Sequence, residues 1–158
     1  MNKEINYFIS EFETIYDGEP WYGKSLMAVM RDADPQVVFN KPNPSGHSAW
    51  EIARHLYAWR ELLAKRLNGD SKSKISMNSA DDWAPFPEEK NAAQWEALVK
   101  KIEQNQQDLL KGLSGMKDAD LDEKFAGTDY SLRIFLNGQI QHDIYHIGQI
   151  ALAIKSFN

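Results

Sequence analysis

The stretch that decides the fold lies near the C-terminus and is Gln139-Ile140-Gln141-His142-Asp143-Ile144-Tyr145-His146-Ile147-Gly148-Gln149-Ile150. Apolar residues recur through and around it near the helical period, at Leu132, Leu136, Ile140, Ile144, Ile147, Ile150 and Ile154. This spacing predicts one long helix. His142 and His146 are four residues apart, so their side chains lie one turn apart on the same face, where two imidazoles can bind one metal ion. Gln139 and Gln149 extend this polar strip, and polar groups inside a bundle cost free energy unless they are paired or bind a ligand.

The composition limits the class of protein. The chain has 158 residues, of which 42% are apolar, enough for one compact domain over residues 1–158. The net charge of −5 without a basic cluster argues against a nucleic-acid partner. No apolar run approaches membrane-spanning length, and the charged start, residues 1–6, lacks a signal-peptide core, so we expect a cytoplasmic protein with no membrane partner. With no cysteine, a disulfide and a protein thiol nucleophile are both excluded.

The periodicity along the rest of the chain predicts only helices. Asp17-Gly18-Glu19-Pro20 interrupts the first apolar pattern, so residues 3–16 and 20–32 are predicted to be helical and either stay separate or form one kinked helix. Ser48 and Glu51 have the spacing of a capping box and mark where the second helix begins. The four predicted helices lie near residues 5–32, 49–68, 91–113 and 131–156. Four long helices with at least two long connections predict an all-α four-helix bundle.

A third candidate metal ligand comes from the second predicted helix. His55 shares an apolar stripe with Ile52 and Trp59, so it is expected to face the core. Three neutral imidazoles would leave coordination positions open for water or substrate. A single core histidine more often bonds a backbone carbonyl, so spacing alone leaves both interpretations open. Imidazole ligands also do not distinguish zinc, nickel, iron, manganese or copper.

Three separated segments resemble the DinB/YfiT-like superfamily of metal-binding four-helix proteins. The strongest similarity is in residues 142–150, and residues 20–26 and 47–56 are similar to other parts of the family pattern. The resemblance implies an up-down-down-up four-helix bundle. It also implies that His55, His142 and His146 are the metal ligands, because the three family histidines match these positions.

Three classes of function follow from the resemblance and from the residues. Family members include transferases that use low-molecular-weight thiols such as bacillithiol, so we expect a metal-dependent enzyme that conjugates a small thiol to a small electrophile. A metal-dependent hydrolase is the second class, because His142-Asp143-x-x-His146 mimics a zinc-protease pattern with a shorter acid. A non-catalytic metal-binding protein ranks below these, since a structural zinc site normally has four protein ligands. No catalytic side chain is assigned.

Four further residues carry open alternatives. Asp143 either orients a ligand imidazole or bonds a neighbouring helix. Tyr145 either forms a wall of the site or donates a proton there, but packing in the core or an interface is the favoured role. His47 is expected to pack locally rather than to act as a fourth ligand. Arg66 either meets an anionic substrate or extends along the surface.

The long connections are expected to form the rim of a pocket. Residues 33–47 and 69–90 should lie at the end of the bundle that contains His55, because long loops in a compact domain are usually functional. Trp83 is the expected apolar anchor of the second loop. The resemblance also implies a homodimer, which we expect to form through helix faces away from the metal.

Overall fold

The protein is an all-α bundle, as predicted. The computed structural model describes residues 2–157. A 3₁₀ turn at Asp118–Asp122 precedes the last helix, and the only strand-like pairing in the described range is an isolated bridge between Lys124 and Ser131. The α-helices are α1 Lys3–Asp17, α2 Leu26–Arg31, α3 Ala49–Leu67, α4 Ala92–Ser114 and α5 Leu132–Lys155. No helix within residues 2–157 is both long and apolar enough to cross a bilayer.

Contacts at one end of the bundle give the helix directions. Asn68, just after α3, donates to the carbonyl of Asp108 in the last third of α4, so α3 and α4 are parallel. The first turn of α1 meets Asp118, which follows α4, and Glu4 of α1 pairs with Arg133 at the start of α5. Helix α1 is therefore antiparallel to α4 and parallel to α5. These contacts confirm the up-down-down-up topology.

The core consists of two apolar clusters with a polar layer between them. One cluster surrounds α2 and the start of α3, and the other fills the end where α1 begins. Between them, Arg60 and Asp143 form a fully buried ion pair, and Arg60 also donates to Gln106. Gln106 in turn donates to the carbonyl of Phe12 at 3.3 Å, so the layer ties three helices to α3.

The single helix predicted over residues 5–32 is wrong. Helix α1 ends at Asp17, α2 begins at Leu26, and residues 18–25 are not helical. Gly23 has a φ of 128°, a conformation that favours glycine and breaks the helix. Trp21 lies in this interruption and is completely exposed. The other three predicted helices agree with α3, α4 and α5 to within one residue at each end.

The predicted capping box at the start of α3 is present. The Ser48 hydroxyl accepts from the Glu51 N–H, and the Glu51 carboxylate accepts from the Ser48 N–H at 2.8 Å. Burial alone would raise the pKa of Glu51, but the hydrogen bonds from Ser48 and Lys41 outweigh it and lower that pKa. A cap of this kind stabilises a helix by about 1 kcal/mol. It fixes where α3 begins and hence the position of His55 two turns later.

Candidate metal centre

The structure brings the three predicted histidines together. His55 projects from α3, and His142 and His146 project from the antiparallel helix α5. One ring nitrogen from each residue lies within 4.8 Å of the other two, and the Nε2 atoms of His55 and His142 are 3.0 Å apart. His55 and His146 are each only 6% exposed. This buried cluster could hold a metal ion between two helices.

Asp82, which the sequence analysis missed, positions His55. Its Oδ1 lies 2.8 Å from Nδ1 of His55 and also accepts from Nε1 of Trp59 at 2.9 Å. Its Oδ2 accepts from the backbone N–H of Asn78 at 2.8 Å. Because the backbone carbonyl of Asp82 accepts from Nδ1 of His55 at 3.1 Å, with the carboxylate close beside it, Nε2 of His55 carries a lone pair directed at the cluster. The only signal in the sequence that could have identified Asp82 is that it lies in the loop 69–90, which was predicted to lie near His55.

Gln149 has the corresponding role for His146. Its side-chain oxygen lies 2.7 Å from Nδ1 of His146, which again leaves Nε2 free. The third histidine differs, because Nδ1 of His142 is buried and has no hydrogen-bond partner. The nearest oxygen of Asp143 is 3.9 Å from this nitrogen, too far for a hydrogen bond. Two of the three imidazoles are therefore oriented by hydrogen bonds before any ligand binds.

Burial keeps two of the imidazoles neutral. Removal from water, reinforced by the neighbouring His142, lowers the pKa of His146 to about 4. Burial likewise lowers the pKa of His55, against the opposing effect of Asp82. Neutral imidazole is the form that binds a metal ion, so at neutral pH no proton has to leave these two rings.

Trp83 holds the loop 69–90 against the cluster, as predicted. Its ring stacks on His55 at 4.1 Å between centroids and, through its other face, on His47 at 4.0 Å. His47 lies outside the cluster, which agrees with its predicted local packing role. The loop thus contacts the site through two consecutive residues, Asp82 by hydrogen bonding and Trp83 by stacking.

A cavity of about 690 Å³ opens beside the histidines. Its walls are mostly apolar and come from α3, the loop 69–90, the residues before α5 and α5 itself. Four large side chains at its mouth are exposed: Met77, Tyr130, Ile134 and Tyr145. Tyr145 is 63% exposed, so it does not pack in the core; it lines the cavity, which agrees with the alternative that it forms a wall of the site. The expected rim is confirmed for residues 77–83.

The structure decides between the alternatives for Asp143, and it shows that Arg66, which is only 8% exposed, does not extend along the surface. Asp143 is fully buried and bonds Arg60 of the neighbouring helix and the amide of Gln139, which donates to it at 2.8 Å. It therefore supports the helix that carries the histidines instead of orienting an imidazole. Arg66 lies under the loop and donates to the carbonyl of Ser73 at 3.1 Å, outside the cavity lining.

The fold and the cluster define a four-helix-bundle protein with three histidines that could hold a metal ion between α3 and α5. The sequence model of a family described as the DinB superfamily matches residues 23–150, and the chain therefore belongs to the DinB superfamily. The matched range contains His55, His142 and His146 and confirms the resemblance seen in the sequence. None of the functionally curated proteins compared with the sequence matches it.

Proposed function

We propose that this protein is a divalent-metal-dependent transferase that activates a small thiol, of the bacillithiol type, for conjugation to a small apolar electrophile. The metal ligands in this proposal are His55, His142 and His146. The observation that carries it is the convergence of three imidazoles, two buried and one half-buried, on the wall of a large, mostly apolar cavity. Membership of the DinB superfamily supports the same class of activity.

The residues fit a metal ion with one or more open positions. Nitrogen ligands about 2.1 Å from a tetrahedral ion lie about 3.4 Å from one another. The Nε2 atoms of His55 and His142 are 3.0 Å apart, and all three candidate nitrogens lie within 4.8 Å, so small side-chain rotations suffice. No fourth histidine or carboxylate completes the cluster in the part of the chain that the structure describes. Such a donor set suits a catalytic ion better than a closed structural one.

The chain's own residues have three roles in this proposal. Asp82 and Gln149 hold two imidazoles in the tautomer that directs Nε2 to the cluster. Trp83 covers one face of His55 and keeps water from that side. The apolar cavity walls bind the electrophile next to the cluster. The bound metal ion would lower the pKa of the entering thiol, which is ordinarily about 8.5.

The conjugation itself balances without any further reactant. The thiol sulfur forms a bond to the electrophilic carbon, and the leaving group departs with the electron pair of its own bond. The thiol proton passes to solvent. Since the chain contains no cysteine, the sulfur belongs to the small-molecule thiol.

The hydrolase alternative is weakened by the position of Asp143. In the zinc-protease pattern the acid at this place acts as the general base on water. Here Asp143 is fully buried, paired with Arg60, and 3.9 Å from the nearer nitrogen of His142. It is not directed at the cluster, so a hydrolase would need a different base.

The test begins with elemental analysis of protein purified without a metal-affinity tag. The metal-loaded protein is then incubated with a panel of thiols that includes bacillithiol and with bromobimane or a chloro-dinitrobenzene. We expect a thiol-dependent rate that is absent from metal-free protein and from His146→Ala. His47→Ala is the matched control, because His47 is a histidine outside the cluster and should keep the rate. No rate above the metal-free protein across the panel would refute the proposal, and metal-dependent ester hydrolysis in its place would support the hydrolase.

A further inference from the structure

The wall of the cavity beside the histidines is bare at Gly138. Ile134, Gly138 and His142 follow one another at intervals of four residues in α5, and all three line the cavity, so they lie along the same face of the helix. Ile134 lies at the mouth, and His142 belongs to the cluster. A side-chain carbon built at Gly138 would meet no atom within 4 Å. The backbone of α5 is therefore uncovered between the mouth and the histidines.

The packing of the chain does not require a glycine at this position. Gly138 lies inside α5 in an ordinary helical conformation, which any residue can adopt, and the space beside it is empty. Glycine in a helix is nevertheless less favourable than alanine, because it loses more conformational entropy on folding. A glycine is useful in a cavity wall when a ligand must approach the backbone closely. Gly138 thus indicates where a bound molecule lies.

Aromatic side chains make up much of the remaining wall. Tyr130 and Tyr145 are 59% and 63% exposed, so their rings are largely uncovered. Aromatic rings attract one another in stacked and edge-to-face arrangements, and the thioether of Met77, at the mouth, also packs well against rings. A flat aromatic ligand therefore fits these walls better than a saturated ligand of the same size. The aromatic residues of the lining are Trp59, Trp83, Tyr130, Phe135 and Tyr145.

The side chains of the cavity supply no positive charge. Within the part of the chain that the structure describes, no lysine or arginine lines it, and Asp82 is the only acidic residue in its wall. Asp82 is 3% exposed, and its two carboxylate oxygens already accept hydrogen bonds from Trp59 and Asn78. A charged group on the ligand would lose water without gaining a partner, which is costly. In the proposed reaction the thiolate matches the charge of the metal ion, so the walls favour an uncharged second substrate.

We propose that Gly138 determines which electrophile enters the cavity, and that this electrophile is an uncharged, flat aromatic molecule that lies against the bare backbone between Ile134 and His142. The cavity volume of about 690 Å³ is within the usual range for a small-molecule site, ~300–1,000 Å³. The role as electrophile rests on the proposed function, whereas binding needs neither metal nor thiol. With a halogenated nitroarene, the thiol sulfur bonds to the ring carbon, the halide leaves with the electron pair of its bond, and the thiol proton passes to solvent.

The first test measures the role of Gly138 in binding. Gly138→Leu fills the bare part of the wall, so the full chain, treated with a chelator, should bind naphthamide at least about tenfold more weakly than the parent in calorimetry. Gly138→Ala is a smaller change at the same position and should weaken binding less. Circular dichroism checks that each variant keeps its helices.

Gly148→Leu is the matched control for this test. Gly148 is the other glycine of α5, the space beside it is also empty, and it does not line this cavity. The control should bind naphthamide within about twofold of the parent. Equal binding by Gly138→Leu and the parent, or equal weakening by Gly138→Leu and Gly148→Leu, overturns the proposal.

The second test measures the chemistry of the ligand. Naphthamide, naphthoate and naphthamidine share one flat ring system and are neutral, anionic and cationic at neutral pH. The parent protein, treated with a chelator, should bind both ions at least about tenfold more weakly than naphthamide. It should bind the fully saturated counterpart of naphthamide about threefold more weakly. An ion that binds as tightly as naphthamide, or a saturated amide that binds equally well, overturns the proposal.

A rate measurement separates this site from the proposed activity. With the metal-loaded protein, Gly138→Leu should raise the KM for chloro-dinitrobenzene and leave the KM for the thiol and the metal content unchanged. A metal- and thiol-dependent rate that is the same in the parent and in Gly138→Leu would support the proposed function and overturn the role of Gly138. Naphthamide binding that depends on Gly138 in a protein without any conjugation activity would support the site and refute the proposed function.

Discussion

Replacing Asp82 by asparagine should weaken metal binding, although this residue is not a predicted ligand. The backbone carbonyl of Asp82 accepts the Nδ1 proton of His55 at 3.1 Å, and the carboxylate of Asp82, which is only 3% exposed, lies 2.8 Å from the same nitrogen. Asparagine keeps one oxygen for the indole N–H of Trp59, but the negative charge is lost and an NH₂ group can face the imidazole. The backbone carbonyl still accepts from Nδ1, so the expected loss comes from the missing negative charge, which favours the tautomer with Nε2 free to bind a metal.

The expected loss can be estimated in two ways that agree. A hydrogen bond to a charged group contributes about 1.5–3 kcal/mol. Loss of the partner that orients a ligand histidine typically weakens metal affinity by about 10- to 100-fold, equivalent to about 1.4–2.7 kcal/mol. We therefore expect Asp82→Asn to bind zinc or cobalt(II) at least about tenfold more weakly than the parent.

The assay is competition with a chromogenic chelator, accompanied by urea unfolding of each metal-free variant to confirm that the fold is retained. Asp81→Asn is the matched control, because Asp81 is the exposed neighbour and the change in charge is the same. The reasoning would be refuted if the metal affinities of Asp82→Asn and Asp81→Asn lay within about twofold of each other. Equal weakening would indicate an effect of long-range charge, and equal retention would show that the carboxylate beside His55 does not matter.

Three further predictions follow from the site and its support. His142→Ala should abolish stoichiometric metal binding with the helical circular-dichroism signal retained, whereas His47→Ala should bind like the parent; tight binding by the first variant would contradict the ligand assignment. Arg60→Met leaves Asp143 buried without its partner and should lower the free energy of unfolding by about 3–5 kcal/mol, measured in urea. Adding Asp143→Leu should recover most of that loss, and a single variant as stable as the parent would refute the argument. Burial of Glu51 raises its pKa, but the capping hydrogen bonds outweigh burial and lower this pKa below 4.5. The stabilisation from the ionised Glu51 is therefore complete above pH 4.5 and disappears as the pH falls through the lowered pKa. Thermal unfolding should show that Glu51→Gln loses less stability than the parent over this acidic range.

The features that local sequence determined are those whose partners lie within one or two helical turns. Ser48 and Glu51 are three residues apart, and the cap they form was predicted because it needs nothing from the rest of the chain. The shared face of His142 and His146 follows from helix geometry alone. For the same reason the limits of α3, α4 and α5 were predicted to within a residue.

Other features depend on tertiary packing, because their partners are far apart in the chain. Asp82 meets His55 across 27 residues, and Arg60 meets Asp143 across 83, so no local pattern marks either pair. Apolar residues lie on several sides of α5, and periodicity alone could not show that Ile134 and Leu152 are exposed. Only the packing of α1, α2 and α3 against one side of α5 decides which of its residues are buried, which side holds the histidines, and which side faces solvent.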